Sequence, residues 1–335
     1  MKHTTLTDIA NKLGLSPSTV SRALNDHPDI NLETKKEVKR IAEELRYSPN
    51  PIARSLRNNR TSTIAVLVPE IKHDFFSHAI SGIEEVAYER GYTIILCQSN
   101  ETVEREVINV NALIQHRVAG VVVSISQETK TGEHFQVLID RKIPLVFFDR
   151  VCEDVPASKV IIDDEKSALA AVTHLTERGY KKIAHFAGPK ELDICRKRLS
   201  GYRSALSAAS LPLIPELVVS GGLHETDGYR SMSLLLSTNL IPDAIFCVND
   251  PVAVGAFQRI KEAGLRIPKD IALVGFSNNK ISGLIDPPLT TIDQPSFEMG
   301  KRAAQILIDI IEEKTAFTEP QTVVLDATLI IRAST

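Results

Sequence analysis

From Ser62 onward, short apolar runs rich in β-branched residues alternate with longer segments that have the apolar spacing of helices. The apolar runs are Thr63–Pro69, Thr93–Cys97, Gly120–Ile125, Pro144–Asp149, Val160–Asp163, Lys182–Ala187, Ala244–Asn249 and Ile271–Phe276. The helical segments are Phe76–Arg90, Val103–His116, Lys166–Arg178, Arg198–Ala209, Asp227–Leu236 and Asp250–Ala263. Strands that alternate with helices of this length form parallel sheets with helices on both faces. The pattern predicts an α/β core, and two consecutive sheets fit it better than one.

This core is predicted to span residues 61–335 and to divide into two lobes at Asp163–Asp164. We expect lobe 1 to contain about residues 61–161 plus 293–321, and lobe 2 about residues 163–290 plus 323–335. Each half has strands that end on polar residues. Because parallel sheets bind ligands at the carboxyl ends of their strands, these ends are the predicted ligand-binding edge.

Residues 1–48 have a different pattern, which predicts a small all-α unit of three amphipathic helices. Ser16 is a suitable N-cap and Pro17 suits the first helical position. The helix that they begin has one apolar face. A preceding helix is predicted to start at the cap Thr7, with Gly14 at the tight junction, and a third helix follows from Asn31. Two short helices joined by such a junction indicate a helix-turn-helix unit.

The outward face of the second helix carries hydroxyls, one Arg and one Asn, and no carboxylate. These groups suit phosphates and base edges. Residues 1–60 hold 11 basic and 7 acidic residues, a net charge of +4, whereas the remaining 28 basic and 35 acidic residues give −7. A basic unit joined to an acidic body is the electrostatic pattern of a nucleic-acid-binding module. The alternative is an ordinary three-helix bundle with a polar surface.

Residues 49–60 are predicted to be a hinge helix or linker. Asn50 can cap a helix and Pro51 can open it, but an isolated helix this short is marginal in water. We therefore expect it to be helical only when something holds it. Its basic residues and the apolar Leu56 favour an element that wedges into the DNA minor groove, and a plain flexible linker is the alternative.

Several classes of protein are disfavoured by what the sequence lacks. It has no charged start followed by an apolar run, and no apolar run approaches about 18 residues. We therefore expect a soluble, cytoplasmic protein with no membrane partner, associated with the nucleoid when it binds DNA. The four cysteines form no CxxC pair and have no His at ligand spacing, so we expect buried thiols, no metal site and no cofactor.

An enzyme is the alternative from another functional class, because dehydrogenases, sugar kinases and hydrolases share this sheet pattern. The sequence contains no GxGxxG after a strand, no GxxxxGK[ST], no GxSxG and no HExxH. His185 is interpreted as a strand residue and His224 as a loop residue. We predict that the chain is not an enzyme and has no catalytic residues. A ligand-binding receptor without DNA function is the third possibility.

The chain resembles the lactose-repressor (LacI/GalR) family of bacterial transcription regulators over essentially its whole length. The segments that carry the resemblance are LTDIANKLGLSPSTVSRALN, ELRYSPNPIARSLR, VPEIKHDFFSHAISGIEEVAYERGY, HLTERGYKKIAHFAGP, RLSGYRSAL, VNDPVAVGAFQRIKEAGLRIPKDIALVGF and DPPLTTIDQPSFEMGKRAAQIL. The resemblance implies a repressor that binds a palindromic operator as a homodimer. It also implies a periplasmic-binding-protein-like core that closes around a small effector, with a sugar or sugar derivative expected.

The resemblance also implies DNA-binding residues. It places Pro17, Ser18 and Arg22 at base-reading positions, and Arg22 suits a bidentate contact with guanine. It places at backbone-contact positions Thr5, Leu6, Ser16, Thr19, Ser21, Asn25 and Tyr47. In the hinge it matches Leu56 to a leucine that enters the minor groove, with Ala53 and Arg57 beside it.

In the cleft, the resemblance implies effector contacts by Asp149, Arg198, Asn249, Asp250 and Gln294, with a stacking wall of Phe75 and Phe76. The alternative for Arg198 is that it ties two helices together. The sequence departs from the family at Ser277, where an acid that holds ligand hydroxyls is usual. This departure fits either a phosphorylated or acidic ligand or a water-mediated sugar site.

We expect a dimer rather than a tetramer, formed through the core by the amphipathic helix Phe76–Arg90. An effector could act as an inducer or as a corepressor, since both outcomes are compatible with the same two-lobed core.

Overall fold

The computed structural model describes residues 4–45, 47, 61–238, 240–312 and 319–335. The chain divides into two compact units, Met1–Thr61 and Ser62–Thr335. The described part of the first unit contains α1 (Leu6–Leu13), α2 (Pro17–Leu24) and α3 (Leu32–Glu44).

The three helices surround a small apolar core, and their ends are fixed by the caps that the sequence provides. Ser16 Oγ accepts a hydrogen bond from the Thr19 amide at 3.1 Å, and Asn31 Oδ1 accepts one from the Thr34 amide at 2.8 Å. Gly14 ends α1 with φ +67°, a conformation that glycine adopts without strain. The buried core consists of Ile9, Ala10, Val20, Ala23, Val38, Ile41 and Ala42. The helix-turn-helix prediction is confirmed.

The predicted start of α1 is wrong. Its N-cap is Thr5 rather than Thr7, because Thr5 and Asp8 form a reciprocal capping box. Thr5 Oγ1 accepts from the Asp8 amide at 3.3 Å, and Asp8 Oδ2 accepts from the Thr5 amide at 2.8 Å. The capping box satisfies two backbone donors and starts the helix two residues earlier than the sequence analysis placed it.

The second unit alternates strands and helices, as predicted. In chain order its elements are β1 (Thr63–Val68), α4 (Asp74–Glu89), β2 (Thr93–Gln98), α5 (Val103–Gln115), β3 (Gly120–Val123), α6 (Glu133–Asp140), β4 (Leu145–Phe148), β5 (Ser158–Ile162), α7 (Asp164–Glu177), β6 (Ile183–Phe186), α8 (Asp193–Ala208), β7 (Val218–Val219), α9 (Glu225–Ser237), β8 (Ala244–Cys247), α10 (Asp250–Glu262), β9 (Ala272–Val274), β10 (Thr291–Asp293), α11 (Ser296–Ile311), β11 (Thr322–Leu325) and β12 (Thr328–Ile330).

The strands form two parallel sheets, which define two lobes. Lobe 1 has six strands in the order β11-β5-β4-β3-β1-β2, and lobe 2 has four in the order β7-β6-β8-β9. Strands β10 and β12 form a separate antiparallel pair. Buried residues alternate between the faces of each sheet, with Val121 and Val123 on one side and Val122 on the other, which is why these strands are apolar throughout. The prediction of a two-lobed α/β core is confirmed.

The expected boundary at residues 321–323 is wrong. Strand β11 lies beside β5 in the sheet of lobe 1, with Val323 opposite Val160 and Leu325 opposite Ile162. The last passage of the chain into lobe 2 therefore follows Leu325. The sequence analysis missed this strand, together with β7, β10, β12, α6 and α11. The missed strands have only two to four residues each, too few to show a period.

The apolar face of α4 is buried inside the protomer and packs against α11, so this face is not available to a partner; the predicted dimer contact through the helix stays a prediction. Helices α4 and α11 approach so closely that a Cβ at Gly82 would lie 2.1 Å from the Phe297 carbonyl oxygen, and one at Gly300 would lie 2.0 Å from that of Ala79. Phe76 and Ile83 are buried in the same contact region. The apolar side chains of α4 therefore pack in the core of lobe 1.

Within the described ranges, none of the helices combines the length and the apolar character needed to span a membrane.

Candidate functional site

The first candidate site is the outward face of α2 in the helix-turn-helix unit. Pro17, Ser18 and Arg22 are exposed on it, and Ser21 is half-buried. Ser16 Oγ lies 2.7 Å from Ser18 Oγ and 2.8 Å from Thr19 Oγ1, so the hydroxyls form one connected group at the start of the helix. Such a group can donate to phosphate oxygens or to base edges.

Arg22 is the cation of this face. Among the described residues, its guanidinium has no ion pair, whereas Arg40 on α3 pairs with Glu37 at 2.7 Å and with Glu44 at 3.4 Å. Lys39 likewise pairs with Asp26 at 2.8 Å. Arg22 can therefore bind an external acceptor without breaking an internal pair.

The remaining predicted DNA contacts flank this face. Thr5 and Asn25 are exposed, Leu6, Thr19 and Tyr47 are half-buried, and Asn25 Nδ2 donates to the Ser21 carbonyl at 2.7 Å. Three predicted DNA contacts are in the hinge and lie outside the described residues, namely Ala53, Leu56 and Arg57.

The second candidate site is a cleft between the lobes, at the carboxyl ends of β4, β8 and β9. Its empty volume is about 500 Å³. Seven of the eight predicted effector-binding residues line it, namely Phe75, Phe76, Asp149, Arg198, Asn249, Ser277 and Gln294. Parallel sheets place loop side chains at this edge, which is why residues from distant segments meet here.

Asp250 is not part of the wall. Its carboxylate is fully buried behind the cleft and accepts hydrogen bonds from the Asn279 amide at 2.7 Å, Ser282 Oγ at 2.7 Å and Thr291 Oγ1 at 2.6 Å. Burial raises its pKa, although these bonds oppose the shift. Asp250 holds the loops after β9 and before β10 together, so its predicted contact with the effector is corrected to this positioning role.

Arg198 both lines the cleft and ties helices together, so the two interpretations of this residue do not exclude each other. Its Nε and Nη2 donate to Asp164 Oδ1 at 2.8 and 2.7 Å, and its Nη1 donates to the Val248 carbonyl at 2.6 Å. The guanidinium carbon lies 3.7 Å from the centroid of the Phe276 ring, a cation–π distance. Its charge is compensated inside the protein.

Arg150 is the second guanidinium of the wall, and it is also paired. Its Nη1 lies 2.9 Å from both carboxylate oxygens of Glu101, and its guanidinium carbon lies 5.6 Å from the centroid of the Phe76 ring. Phe75 contacts Phe76 edge to face at 5.2 Å between centroids. The wall therefore combines an aromatic surface with fixed polar groups, as small-molecule sites commonly do.

Asp149 directly precedes Arg150 and has an unusual environment. Its backbone has φ +59°, a left-handed conformation that is uncommon for residues other than glycine. Burial raises the pKa of its carboxyl to about 6, although Arg150 and Arg198 oppose the shift. The nearest Arg150 nitrogen is 3.9 Å away, beyond hydrogen-bonding distance.

Three other polar atoms of the wall are buried, and no partner for them occurs in the described part of the chain. They are Nε of Arg150, Nε2 of Gln294 and Oδ1 of Asn279, two donors and one acceptor. Leaving such an atom unpaired costs about 1 to 3 kcal/mol. A ligand that supplies matching acceptors and a donor would recover this free energy.

Ser277, at the position where the sequence departs from the family, is used within the wall. Its hydroxyl donates to Gln294 Oε1 at 2.8 Å, and its backbone has φ +112°. This bond orients Gln294 so that Nε2 remains available.

The sequence analysis missed several residues of the wall. They are His73, Glu101, Arg150, Ile194, Leu223, Pro251 and Asn279. Arg150, Pro251 and Asn279 lie within two residues of predicted positions, so strand-end proximity could have indicated them. Glu101 pairs with a residue 49 positions away, and no local pattern shows that pairing.

Comparison with known proteins relates both sites to one family. The family described as "Bacterial regulatory proteins, lacI family" matches residues 5–50, and the "Periplasmic binding protein-like domain" matches residues 172–335. The HTH-type transcriptional repressor PurR of Vibrio atlanticus (strain LGP32) is 35% identical over 312 residues, which cover 92% of each chain. The HTH-type transcriptional repressor CytR of Escherichia coli (strain K12) is 33% identical over 334 residues, 99% of this chain and 96% of that protein.

Solved structures agree with these relatives. A lac repressor dimer bound to operator and the anti-inducer ONPF has a TM-score of 0.87 and 26% identity, with 99% of each chain covered. A complex of the transcriptional regulator CelR with cellobiose has a TM-score of 0.76 and 30% identity, covering 99% of this chain and 100% of that one. With repressor relatives above 30% identity along nearly its whole length, the chain belongs to the lacI family of bacterial transcription regulators.

Proposed function

We propose that the protein is a repressor that binds a palindromic operator as a dimer and is controlled by a small molecule in the inter-lobe cleft. The observation that carries the proposal is the α2 face, which is polar and free of carboxylates, with Arg22 unpaired within the described residues. The family and its named repressor relatives support it. A regulator of this kind works where the DNA is, so the cytoplasm is the proposed location.

The proposed organisation is a headpiece of residues 1–48, a hinge of 49–60 and a core of 61–335. In this scheme Leu56 enters the minor groove, with Ala53 and Arg57 beside it, once two hinges are held together on DNA. The wedge requires paired headpieces, so the dimer is part of the mechanism and not an addition to it.

Exposed apolar residues suggest a dimer contact other than the helix Phe76–Arg90. Strand β2 is one of the two edge strands of the lobe 1 sheet, opposite β11, and Ile95 and Leu96 are partly exposed on it. Helix α5, which contacts β2, exposes Val107 and Ile108. An uncovered edge strand with apolar side chains is a liability unless it is paired or buried. We therefore assign the dimer contact to β2 and α5.

Replacing Arg22 with Ala should weaken operator binding by about 1 to 3 kcal/mol and relax base preference at one position of each half-site, because a bidentate guanine contact is lost. The measurement is fluorescence anisotropy on a palindrome selected from random DNA by the full-length protein. Arg40→Ala is the matched control, because it removes the same charge from a residue that is already paired on α3. If both variants lose the same affinity and keep the same base preference, Arg22 supplies only charge and does not read a base.

The proposed effector is an uncharged molecule with several hydrogen-bonding groups. Arg150 and Arg198 are each compensated by a carboxylate of the protein, so neither offers an unbalanced positive charge to an anion. Asp149 adds a further acid to the wall. This arrangement favours a neutral sugar derivative, nucleoside or nucleobase over the phosphorylated or acidic ligand that the sequence left open.

A thermal-shift screen of the purified protein should therefore respond to neutral compounds and not to their phosphates. A ligand at a hundred times its Kd stabilises the fold by about 2.7 kcal/mol, enough to raise Tm clearly. The matched comparison is each nucleoside or sugar against its own phosphate. A response confined to phosphates would show that the two guanidiniums are not compensated as the distances imply, and would overturn the assignment.

A further inference from the structure

Three side chains with metal-binding chemistry meet at the edge of the cleft. Glu70 follows β1, His73 directly precedes α4, and His224 directly precedes α9. Glu70 and His73 belong to lobe 1, whereas His224 belongs to lobe 2. All three are half-buried, and one ligand atom from each lies within 4.8 Å of the other two.

The distances within this Glu70–His73–His224 cluster are close to those of a coordination site. Glu70 Oε2 lies 2.8 Å from His73 Nε2 and 3.6 Å from His224 Nδ1. Zn²⁺ binds imidazole nitrogen and carboxylate oxygen at about 2.0 to 2.2 Å in a tetrahedral arrangement, which places the ligand atoms about 3.4 Å apart. These two distances lie on either side of this value, and the ligand atoms of His73 and His224 lie within 4.8 Å of each other.

Within the described ranges, no group forms a well-aligned hydrogen bond with the buried Nδ1 of His224. The Asp227 amide faces the ring in a capping-box arrangement, but its hydrogen bond goes to the His224 carbonyl at 3.0 Å. A buried ring nitrogen 3.6 Å from a carboxylate, too far for a hydrogen bond, is an incomplete arrangement that a shared cation would complete.

Glu70 also pairs with Lys72, but this pair does not block the site. Lys72 Nζ lies 3.1 Å from Glu70 Oε1 and is 65% exposed, so it can move into solvent when a cation binds.

We propose that Glu70, His73 and His224 bind a divalent transition-metal ion, with Zn²⁺ the best fit, and that this ion joins the two lobes beside the effector cleft. Two imidazoles and one carboxylate are a ligand set that leaves one position for water. The sequence analysis expected no metal site because the cysteines have no ligand spacing; Glu70 and His73 are three positions apart, but His224 is distant from both in the chain.

The position of the site connects it to the cleft. His73 itself lines the cleft and is followed by Phe75 and Phe76, while His224 directly follows the lining residue Leu223. An ion held by both lobes favours the arrangement in which they are close, so it acts on the same equilibrium as the effector. The metal ion would thus be a second ligand that controls the regulator, beside the effector.

The test uses Co²⁺ as a spectroscopic probe and Zn²⁺ as the competing ion, with the full-length protein freed of metal by a chelator. We expect one Co²⁺ per chain with the visible absorption of a tetrahedral site, displaced by Zn²⁺. His224→Ala and the nearly isosteric Glu70→Gln should each weaken binding by at least about a hundredfold, since even changes in residues that only support metal ligands cost about 10- to 100-fold. His78→Ala, an exposed histidine on α4, is the matched control and should bind as the wild type does.

Circular dichroism shows whether each variant is folded, and Glu70→Gln keeps the test decisive should His224→Ala not fold. If Co²⁺ affinity is unchanged in a folded His224→Ala protein, the ion does not join the lobes and the proposal is wrong. Loss of binding in His78→Ala alone would locate the ion on the exposed face of α4 and would equally overturn it.

Discussion

Replacing Asp164 with Ala should lower the free energy of unfolding of the core by about 3 to 5 kcal/mol, the cost of leaving one partner of a buried ion pair alone. Asp164 and Arg198 are almost fully buried, with 4% and 3% of their side chains exposed. Without Asp164, the guanidinium keeps the Val248 carbonyl and the face of Phe276 but loses the carboxylate to which it is hydrogen-bonded. The measurement is urea unfolding of the core, followed by circular dichroism.

The control for this prediction is Asp193→Ala on α8, the helix that also carries Arg198. Asp193 pairs with Arg196 at 3.0 Å and Lys197 at 2.6 Å, but those cations are 53% and 37% exposed. Exposed pairs contribute about 0 to 1 kcal/mol, so this variant should change the free energy of unfolding by no more than that. Equal losses in the two variants would mean that Arg198 is solvated and that its pair with Asp164 does not hold the structure.

The Asp164–Arg198 pair also explains why the charged groups of the cleft serve mostly to hold the fold together. Asp164 is the first residue of α7, directly after the chain leaves the sheet of lobe 1 at β5. Arg198 connects this crossing to α8 and to the end of β8. A ligand that contacts Arg198 therefore contacts a residue fixed at the passage between the lobes, where a change of angle would arise.

The sequence predicted the fold well because strand and helix periods are local properties. Each of the eight apolar runs overlaps a strand, and residues such as Val121, Val122 and Val123 are buried on both faces of a sheet. The short strands of the lobe 2 edge and β11 were missed because two to four residues carry no period. The cap Ser16 was predicted correctly, since a cap depends only on its own turn.

The sequence predicted those residues of the candidate site whose position follows from the end of a strand, and only those. Asp149, Asn249 and Ser277 follow strands and line the cleft, whereas Asp250, next to Asn249, turns away into its own hydrogen bonds. Neighbouring residues at a strand end can point to opposite sides, and the sequence pattern does not separate them. Pairs such as Glu101 with Arg150 depend on how distant loops meet.

Replacing Asp149 with Asn should make the stability of the protein less dependent on pH, with a gain of about 3 kcal/mol at pH 7. Burial raises the pKa of Asp149 to about 6 in the folded protein, from an ordinary value of 3.8. Each pKa unit corresponds to about 1.4 kcal/mol, so this difference of about two units accounts for the gain. Asn has the same shape, remains uncharged and tolerates the left-handed backbone of this position.

The sign of the pH dependence of stability follows from which state, folded or unfolded, binds the proton more tightly. Below about pH 4 the carboxyl is protonated in the folded and the unfolded chain, and the wild type has its full stability. Between about pH 4 and 6 the folded chain holds the proton more tightly, so the stability of the wild type falls as the pH rises through this window and is lowest above it. The burial-lowered pKa of His185, about 4, acts in the opposite direction, but it is present in both proteins and cancels in their difference.

The experiment is urea unfolding of wild type and Asp149→Asn at pH 4, 5, 6 and 7. The free energy of unfolding of the variant minus that of the wild type should rise from near zero to about 3 kcal/mol, whereas the exposed Asp326→Asn should stay within about 0.5 kcal/mol at every pH. A difference that does not change with pH would show that the Asp149 carboxylate is ionised without cost beside Arg150. The expected result instead identifies a carboxylate that destabilises the unliganded fold at neutral pH. Such a group fits a binding role. A ligand that donates a hydrogen bond to the carboxylate recovers the free energy that is lost when the ionised carboxylate is buried without one.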